Sequence, residues 1–379
     1  MAADSTDSEV RIAVQDPPQD SETDRPVRSG PVIRSPEYTV AVPVTGELLN
    51  SETGINVRRL LQTAFALAED NDGRVLLLGL ATVDDEASLA TVREHVETGE
   101  SNTATSAPVL EFIDDQQSQM TSIVDTAQDL NPDVSVNSTL RVVTDTTRGV
   151  LEILGSGSGM AVLLLRGTSL DEGWFLSRST VDAVLAEADC DVFVENLGTQ
   201  GGTNAVYIPD IDGHTVASLS ESEAETIESV LLPVGAGAHS ALAAEAARAV
   251  AKAADAPVTV LHVVDPDASG EAKADASDLL RFAEYVLGPD VTVNTEFQEA
   301  TETTDVILEK AQTHDFTVIG APEQQSRLER LVFEPVQETL TQRSDVTVLM
   351  ARDSDQTMRS LYYRWKRGMD ATEGTGGAE

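Results

Sequence analysis

The stretch that decides the fold is Phe316-Thr317-Val318-Ile319-Gly320-Ala321-Pro322, followed along the chain by Phe333-Glu334-Pro335-Val336 and Asp345-Val346-Thr347-Val348-Leu349. Short apolar runs of this kind, separated by a loop and a helix start, are typical of buried parallel strands in an open α/β sheet. Such sheets bind ligands in the crevice outside the carboxyl ends of their strands. The loop between these two strands should therefore decide the function.

The same order of elements occurs twice in the chain. In the first unit, segments with helical spacing alternate with five apolar runs, at 39–44, 74–80, 134–143, 160–165 and 191–195. The second unit repeats the pattern, with runs at 230–234, 258–265, 291–297, 317–320 and 346–350. Alternating strands and helices of this length require right-handed crossovers and a parallel sheet covered on both faces. The sequence predicts an α/β protein with two tandem open five-stranded parallel sheets.

The composition along the chain predicts five regions. They are a disordered acidic N-terminus at 1–36, a first α/β domain at 37–196, a linker at 197–228, a second α/β domain at 229–352, and a tail at 353–379. The linker contains one short predicted strand at 205–208. The tail combines a basic-aromatic segment, 358–367, with a flexible Gly-rich C-terminus.

The charge balance is strongly acidic. The 379 residues include 65 Asp and Glu against 25 Lys and Arg, for a formal net charge of -40. A surface of this sign repels nucleic acid and anionic lipid. Acid-rich, lysine-poor chains are typical of proteins that fold in concentrated salt, where a Debye length of about 3 Å at about 1 M screens the self-repulsion. We interpret the bias as halophilic, with a cationic partner as the alternative.

Two features bear on the compartment. The single cysteine, Cys190, excludes an internal disulfide and is interpreted as a buried structural thiol. No apolar run approaches the roughly 18 residues needed to span a bilayer, and Met1-Ala2-Ala3-Asp4 lacks the basic start of a signal peptide. We expect a cytoplasmic protein without a transmembrane segment.

Several motifs in this order resemble the universal stress protein family. They are the Pro-Val endings of the first strands, at Val42-Pro43-Val44 and at Leu232-Pro233-Val234, the second strand Val258-Thr259-Val260-Leu261-His262-Val263-Val264-Asp265, and the fourth strand ending in Ile319-Gly320. The resemblance covers roughly 38–196 and 229–352. It implies a strand order of 3-2-1-4-5 in each unit and pairing of domains through their fifth strands. It also implies a stress-response role, and ATP binding in some members only.

The family's nucleotide loop has a glycine, two residues, a second glycine, nine residues, and a glycine followed by serine or threonine. Gly320 matches the first glycine, but Glu323 stands at the second place and Glu334-Pro335 at the last, in a loop about one residue longer. The first unit has Gly167, then Leu170 and Arg178-Ser179. The acidic residue that often follows the first strand is Thr45 in one unit and Gly235 in the other.

These substitutions disfavour a bound phosphate. Two like charges 4 Å apart repel by about 4 kcal/mol at an effective dielectric of about 20, and Glu334 occupies the place of the anion itself. We therefore expect no cofactor, with ATP as the alternative. The positions that could still contact a nucleotide in the second unit are Val234, Gly235, Val263, Gly320, Ala321, Glu323 and Glu334.

No catalytic or metal site is expected. The five histidines show no ligand-like spacing, and His262 is interpreted as a packed strand residue. Ser240 follows His239 outside any nucleophile-elbow motif and is interpreted as the N-cap of the helix at 240–253.

We predict a non-enzymatic regulatory protein of the universal stress type, an intramolecular pseudo-dimer with degenerate nucleotide loops. One alternative is an adenine-nucleotide sensor that uses the second domain through Val234, Val263 and Gly320. Another is a soluble regulator of a membrane transporter that docks through the tail, whose Leu361, Tyr362, Tyr363 and Trp365 lie among basic residues. The tail could equally pack on its parent domain. The fifth strands are expected to pair with each other or with a second chain, since a bare apolar edge invites association.

Overall fold

Eleven strands in the described part of the chain form one continuous, mostly parallel sheet with helices on both faces. The computed structural model describes residues 11–14, 38–49, 57–98, 107–131, 133–155, 159–166, 168–171, 179–196, 227–235, 237, 239–321, 347–353, 362, 365 and 366. The predicted α/β class, with a mostly parallel sheet covered by helices, is confirmed.

The first unit contains β2 (Thr39–Val44), β3 (Arg74–Thr82), β4 (Ser135–Val143), β5 (Met160–Leu165) and β6 (Asp191–Asn196). Its helices are α1 (Gly46–Leu49), α2 (Val57–Glu69), α3 (Glu86–Thr98), α4 (Ala107–Leu130), α5 (Thr146–Leu154) and α6 (Thr180–Glu187). The strands lie in the order β4-β3-β2-β5-β6. Numbered within the unit, this is the expected order 3-2-1-4-5.

The second unit contains β7 (Val230–Pro233), β8 (Val258–Val264), β9 (Val293–Glu299), β10 (Phe316–Gly320) and β11 (Thr347–Arg352). Its described helices are α7 (Ser240–Ala254), α8 (Gly270–Leu287) and α9 (Thr303–Ala311). The strands lie in the order β11-β10-β7-β8-β9, the reverse reading of the same pattern. The two units therefore share one topology.

The strands form because their side chains are buried on both faces of the sheet. All six residues of β2 are buried, as expected for an apolar run in a parallel sheet. One apolar layer joins α2, α4, α7 and α8 to one face, and a second joins α5, α6 and α9 to the other. The alanine-rich α7 buries nine of its residues, because small side chains let it lie close to the strands.

The two units join through β6 and β11, which run antiparallel and are hydrogen-bonded neighbours. The sequence predicted that these terminal strands pair with each other or with a second chain, and here they pair with each other. Glu195 lies directly opposite Leu349. The two occupy the same place in the related strands Asp191-Val192-Phe193-Val194-Glu195 and Asp345-Val346-Thr347-Val348-Leu349.

Helices α2 and α7 also meet across this junction. The Asp70 carboxylate, just after α2, accepts hydrogen bonds from Arg248 Nε at 2.9 Å and Lys252 Nζ at 2.8 Å, both on α7. The Asp70 side chain is 4% exposed. The guanidinium of Arg59, on α2, lies 5.3 Å from the ring centre of Phe316 in the second unit. Polar and apolar contacts therefore both cross the junction.

The predicted pairing of the fifth strands joins the two five-stranded halves into one sheet. One prediction was wrong. Residues 1–36 were predicted to be disordered, but β1 (Arg11–Val14) pairs in parallel with β4. This pairing depends on a partner strand far along the chain, so no local pattern indicates it. The predicted linker strand at 205–208 lies outside the described residues.

Candidate ligand crevices

The described residues predicted to contact a nucleotide lie at the carboxyl edge of the second unit, where β10, β7 and β8 are neighbours. Val234 and Gly235 follow β7, Val263 lies near the end of β8, and Gly320 ends β10. Val263 and Ala321 are half-buried and pack against the same apolar cluster. Glu323 and Glu334 lie outside the described residues.

Gly320 is required by close packing. A Cβ atom at this position would lie 2.9 Å from the carbonyl carbon of His239 and 3.1 Å from the amide nitrogen of Ser240. The end of β10 therefore contacts the backbone at the start of α7. Only glycine permits that approach, because a separation under 3 Å to backbone atoms forces the main chain to move.

The polar groups at this edge are bonded to one another. Ser240 Oγ donates to the Gly235 carbonyl at 2.8 Å, and the His262 Nδ1 atom lies 2.8 Å from the Val234 carbonyl, which can only accept. His239 Nδ1 accepts from the Asp353 amide at 3.0 Å. Ser240 is the first residue of α7 and His239 is its N-cap, so the predicted capping role of Ser240 was wrong. Its hydroxyl instead closes the β7–α7 loop.

The corresponding edge of the first unit carries several hydroxyl groups. Thr147 Oγ1 lies 2.7 Å from Thr180 Oγ1, and Thr82 Oγ1 lies 3.1 Å from Thr146 Oγ1. Thr45 follows β2, is 3% exposed, and its hydroxyl has no hydrogen-bond partner. A buried hydroxyl without a partner costs about 1 to 3 kcal/mol. A hydrogen bond to this hydroxyl would recover part of that cost.

The altered loop of the first unit is partly described. Leu170 is 1% exposed and belongs to the apolar core, so it serves packing. Ser179, which matches the family's final serine, accepts a hydrogen bond from the Asp182 amide at 3.1 Å and caps α6. Gly167 and Arg178 lie outside the described residues.

Two buried groups next to the junction have displaced pKa values. Burial raises the pKa of the Cys190 thiol to about 12, and Asp191 adds to the effect. The predicted burial of this thiol is confirmed. Burial also raises the pKa of Glu195 to about 7, although Arg59 and Thr63 favour its ionised form.

Two further features of the described residues concern metal binding and membrane spans. In that part of the chain, no group of three or more His, Cys, Asp or Glu side chains is arranged to hold a metal ion. None of the described helices combines the length and the apolar character needed to cross a membrane.

The model of the universal stress protein family matches residues 226–352, which contain the second unit. These residues belong to the universal stress protein family. The resemblance seen in the sequence is confirmed there. The first unit has the same strand order. No curated protein matches the sequence significantly.

Solved structures similar to this chain include a universal stress protein from Archaeoglobus fulgidus, at 14% identity and a TM-score of 0.44 over 83% of this chain and 97% of that one. A putative universal stress protein from Pseudomonas aeruginosa is 16% identical, with a TM-score of 0.44 over 86% and 98%. The cytoplasmic domain of a prokaryotic cation chloride cotransporter is 14% identical, with a TM-score of 0.47 over 86% and 99%.

Sequence reasoning found Gly320 but missed Thr45 as a candidate contact and Glu195 altogether. One signal for Glu195 was available. Alternate residues of a strand point to the same face, so Glu195 shares a face with Phe193, which is 1% exposed. A carboxylate at an inward position of an apolar strand indicates either a polar network or a functional group.

Proposed function

We propose that this chain is a non-enzymatic regulatory protein of the universal stress type, in which the second unit has lost nucleotide binding. The observation that carries the proposal is the internal bonding at the carboxyl edge of that unit. The Val234 and Gly235 carbonyls are occupied by His262 and Ser240, and Gly320 is pressed against the start of α7. A ligand would have to displace these contacts before it could bind.

The geometry also argues against acyl-transfer chemistry at this edge. A serine nucleophile needs a base that accepts its proton. Ser240 instead donates to the Gly235 carbonyl, while His239 Nδ1 accepts from the Asp353 amide. These bonds support a structural role for both side chains.

A second candidate function is adenine-nucleotide sensing. The sequence favoured the second unit for this role, but the buried and unpartnered Thr45 hydroxyl favours the first. There the hydroxyl groups of Thr147 and Thr180 lie at the start of α5 and α6, where helix amides attract anions. Any nucleotide affinity should therefore depend on Thr45.

The remaining proposals concern partners. Tyr362 and Trp365 from the tail pack on Phe282 of α8, with ring centres 5.3 and 5.5 Å apart. Lys366 forms salt bridges with Asp275 and Asp278 of α8. These contacts support packing of the tail on its parent domain over docking on a membrane transporter. The pairing of β6 with β11 supports the pseudo-dimer. A cytoplasmic location is part of the same proposal.

Calorimetry with magnesium and ATP in multimolar KCl tests the proposal. We expect no dissociation constant below about 100 µM, and no hydrolysis. The double substitution Glu323→Gly and Glu334→Gly should raise the affinity if the two carboxylates are the obstacle. A micromolar constant for the natural chain would overturn the proposal, and its loss in Thr45→Val would assign the nucleotide to the first unit.

A further inference from the structure

Glu195 lies where the two units meet and is completely buried. It is 0% exposed, it belongs to β6, and it faces Leu349 of β11 across the antiparallel pair. Buried carboxylates are rare because the charged form loses its hydration. A carboxylate at the centre of a junction therefore needs either a partner or a proton.

The contacts of Glu195 satisfy only part of the carboxylate. Thr63 Oγ1, on α2, donates to Oε1 at 2.9 Å, whereas Oε2 has no hydrogen-bond partner. Among the described residues, the charged group that acts on Glu195 is Arg59, also on α2. Arg59 in turn lies over Phe316 of the second unit. The carboxylate is thus tied to both units.

A cleft of about 510 Å³ lies beside this network, between α2 and α7. Arg59 and Thr63 line it from the first unit, and Val250 and Ala254 line it from the second. A cleft of this size admits water. Because Thr63 also touches Glu195, the cleft gives solvent protons a short route to the carboxylate.

We propose that Glu195 is a proton-binding site that couples the junction between the two units to pH, so that proton uptake tightens the junction and proton release loosens it. The neutral acid can remain in the apolar layer, with its proton on Oε2, the oxygen that has no hydrogen-bond partner. The ionised form lacks one hydrogen bond and must be held by Arg59 of the same unit, whose guanidinium also lies over Phe316 of the second unit. This inference goes beyond the regulatory role proposed above and does not depend on whether a nucleotide binds.

The titration range supports the proposal. Burial raises the pKa of Glu195 from 4.5 to about 7, despite Arg59 and Thr63. The folded chain therefore holds this proton where the unfolded chain has lost it, and stability falls as the pH rises from the lower value to the higher. Above about pH 7 the full penalty is present.

A second group near the junction acts in the same direction. Burial raises the pKa of Glu245, on α7, to about 7. Arg248 favours its ionised form, whereas the neighbouring carboxylates Asp191, Asp70 and Asp353 oppose it. Glu195 and Glu245 must therefore be tested separately.

The test measures unfolding of the full-length chain in multimolar KCl as a function of pH. A carboxyl group with these two pKa values raises the unfolding constant about 30-fold between about pH 5.5 and pH 8.5. We expect the 30-fold rise contributed by Glu195 to be absent in Glu195→Gln, and a rise of similar size contributed by Glu245 to be absent in Glu245→Gln. The matched control is Glu187→Gln, an exposed carboxylate on α6 for which no change is expected.

If the unfolding constant of Glu195→Gln changes with pH as much as that of the natural chain, the proposal is overturned. Glu195→Leu, which copies the residue at Leu349, provides a second variant if the glutamine folds poorly. Its unfolding constant should also vary less with pH than that of the natural chain. An unchanged pH dependence in this variant would likewise overturn the proposal.

Cys190 gives a readout specific to the junction, because it immediately precedes β6 and is 6% exposed. The rate of maleimide labelling should be several-fold higher in the natural chain than in Glu195→Gln at about pH 8.5, and equal at about pH 5.5. Comparison at one pH cancels the change in thiolate fraction. Equal rates at the higher pH would show that Glu195 does not control the junction.

Discussion

The two units share one strand order but differ at the carboxyl edge of the sheet. In the second unit, Gly320 lets β10 approach the start of α7, and Ser240 and His262 occupy the carbonyl groups of the β7–α7 loop. In the first unit, Thr45 at the corresponding edge is buried and its hydroxyl has no hydrogen-bond partner. The same strand order therefore places loops at the carboxyl edge in both units. A few loop residues decide whether the polar groups there are hydrogen-bonded to one another.

The largest loss of stability is expected when a side chain is added at Gly320, where β10 contacts the start of α7. Gly320→Ala should destabilise the chain by about 3 kcal/mol, because the new methyl group would overlap the His239 backbone. Gly235→Ala is the control, since no atom lies within 4 Å of its added Cβ. Denaturant unfolding measures both. Equal stability of the two variants would mean that the start of α7 does not pack closely against the end of β10.

The tail provides a second contrast between the units. Trp365→Ala should lower stability by about 2 kcal/mol, because the indole packs on Phe282 of α8. Phe112→Ala, on α4 of the first unit, should cost less than about 0.5 kcal/mol because that ring is 39% exposed. Thermal unfolding distinguishes them. An unchanged melting temperature for Trp365→Ala would revive the tail as a docking segment.

Asp70 tests the ionic link between the units. Asp70→Asn should cost about 1 to 2 kcal/mol near neutral pH, because Arg248 and Lys252 lose a buried partner. The hydrogen bonds from these two residues outweigh burial and lower the pKa of Asp70. Its stabilisation is therefore present above the unfolded pKa and is lost as the pH falls.

The difference between Asp70→Asn and the natural chain should therefore vanish in strong acid, opposite in sign to the behaviour expected of Glu195. Unfolding curves at several pH values measure it. A difference that persists unchanged in acid would mean that the ion pair contributes nothing.

The smallest effect concerns the first crevice. Thr45→Val should stabilise the chain by about 1 kcal/mol, because it replaces an unpartnered buried hydroxyl with a methyl group of the same shape. Thr63→Val is the contrasting variant, since its hydroxyl donates to Glu195, and it should destabilise. A loss of stability in Thr45→Val would show that the hydroxyl has a partner in the folded chain.

Most of the fold could be predicted from the sequence because buried parallel strands are continuous apolar runs. The predicted run at 39–44 coincides with β2, and that at 160–165 with β5. Helix α3 was not predicted, since only Leu89 and Val92 of its 13 residues are buried. Strand β1 was missed because its pairing with β4 is not local.

The candidate site was less predictable for a physical reason. Gly320 was recognised as the glycine of a phosphate loop, yet its contact with His239 depends on how α7 lies against β10. Spacing along the chain carries no information on that distance. The same holds for the unpartnered Thr45 hydroxyl, whose isolation is a property of everything packed around it.

The pairing of Glu195 with Leu349 has a consequence for how such a protein evolves. In a homodimer joined through the same strand, the residue on the symmetry axis meets its own copy. A glutamate there would confront a second glutamate, with a repulsion of about 4 kcal/mol at 4 Å and an effective dielectric of about 20. A gene that encodes both halves in one chain escapes this constraint. Each side of the axis can mutate alone, and a single acidic group can occupy a place that strict symmetry would forbid.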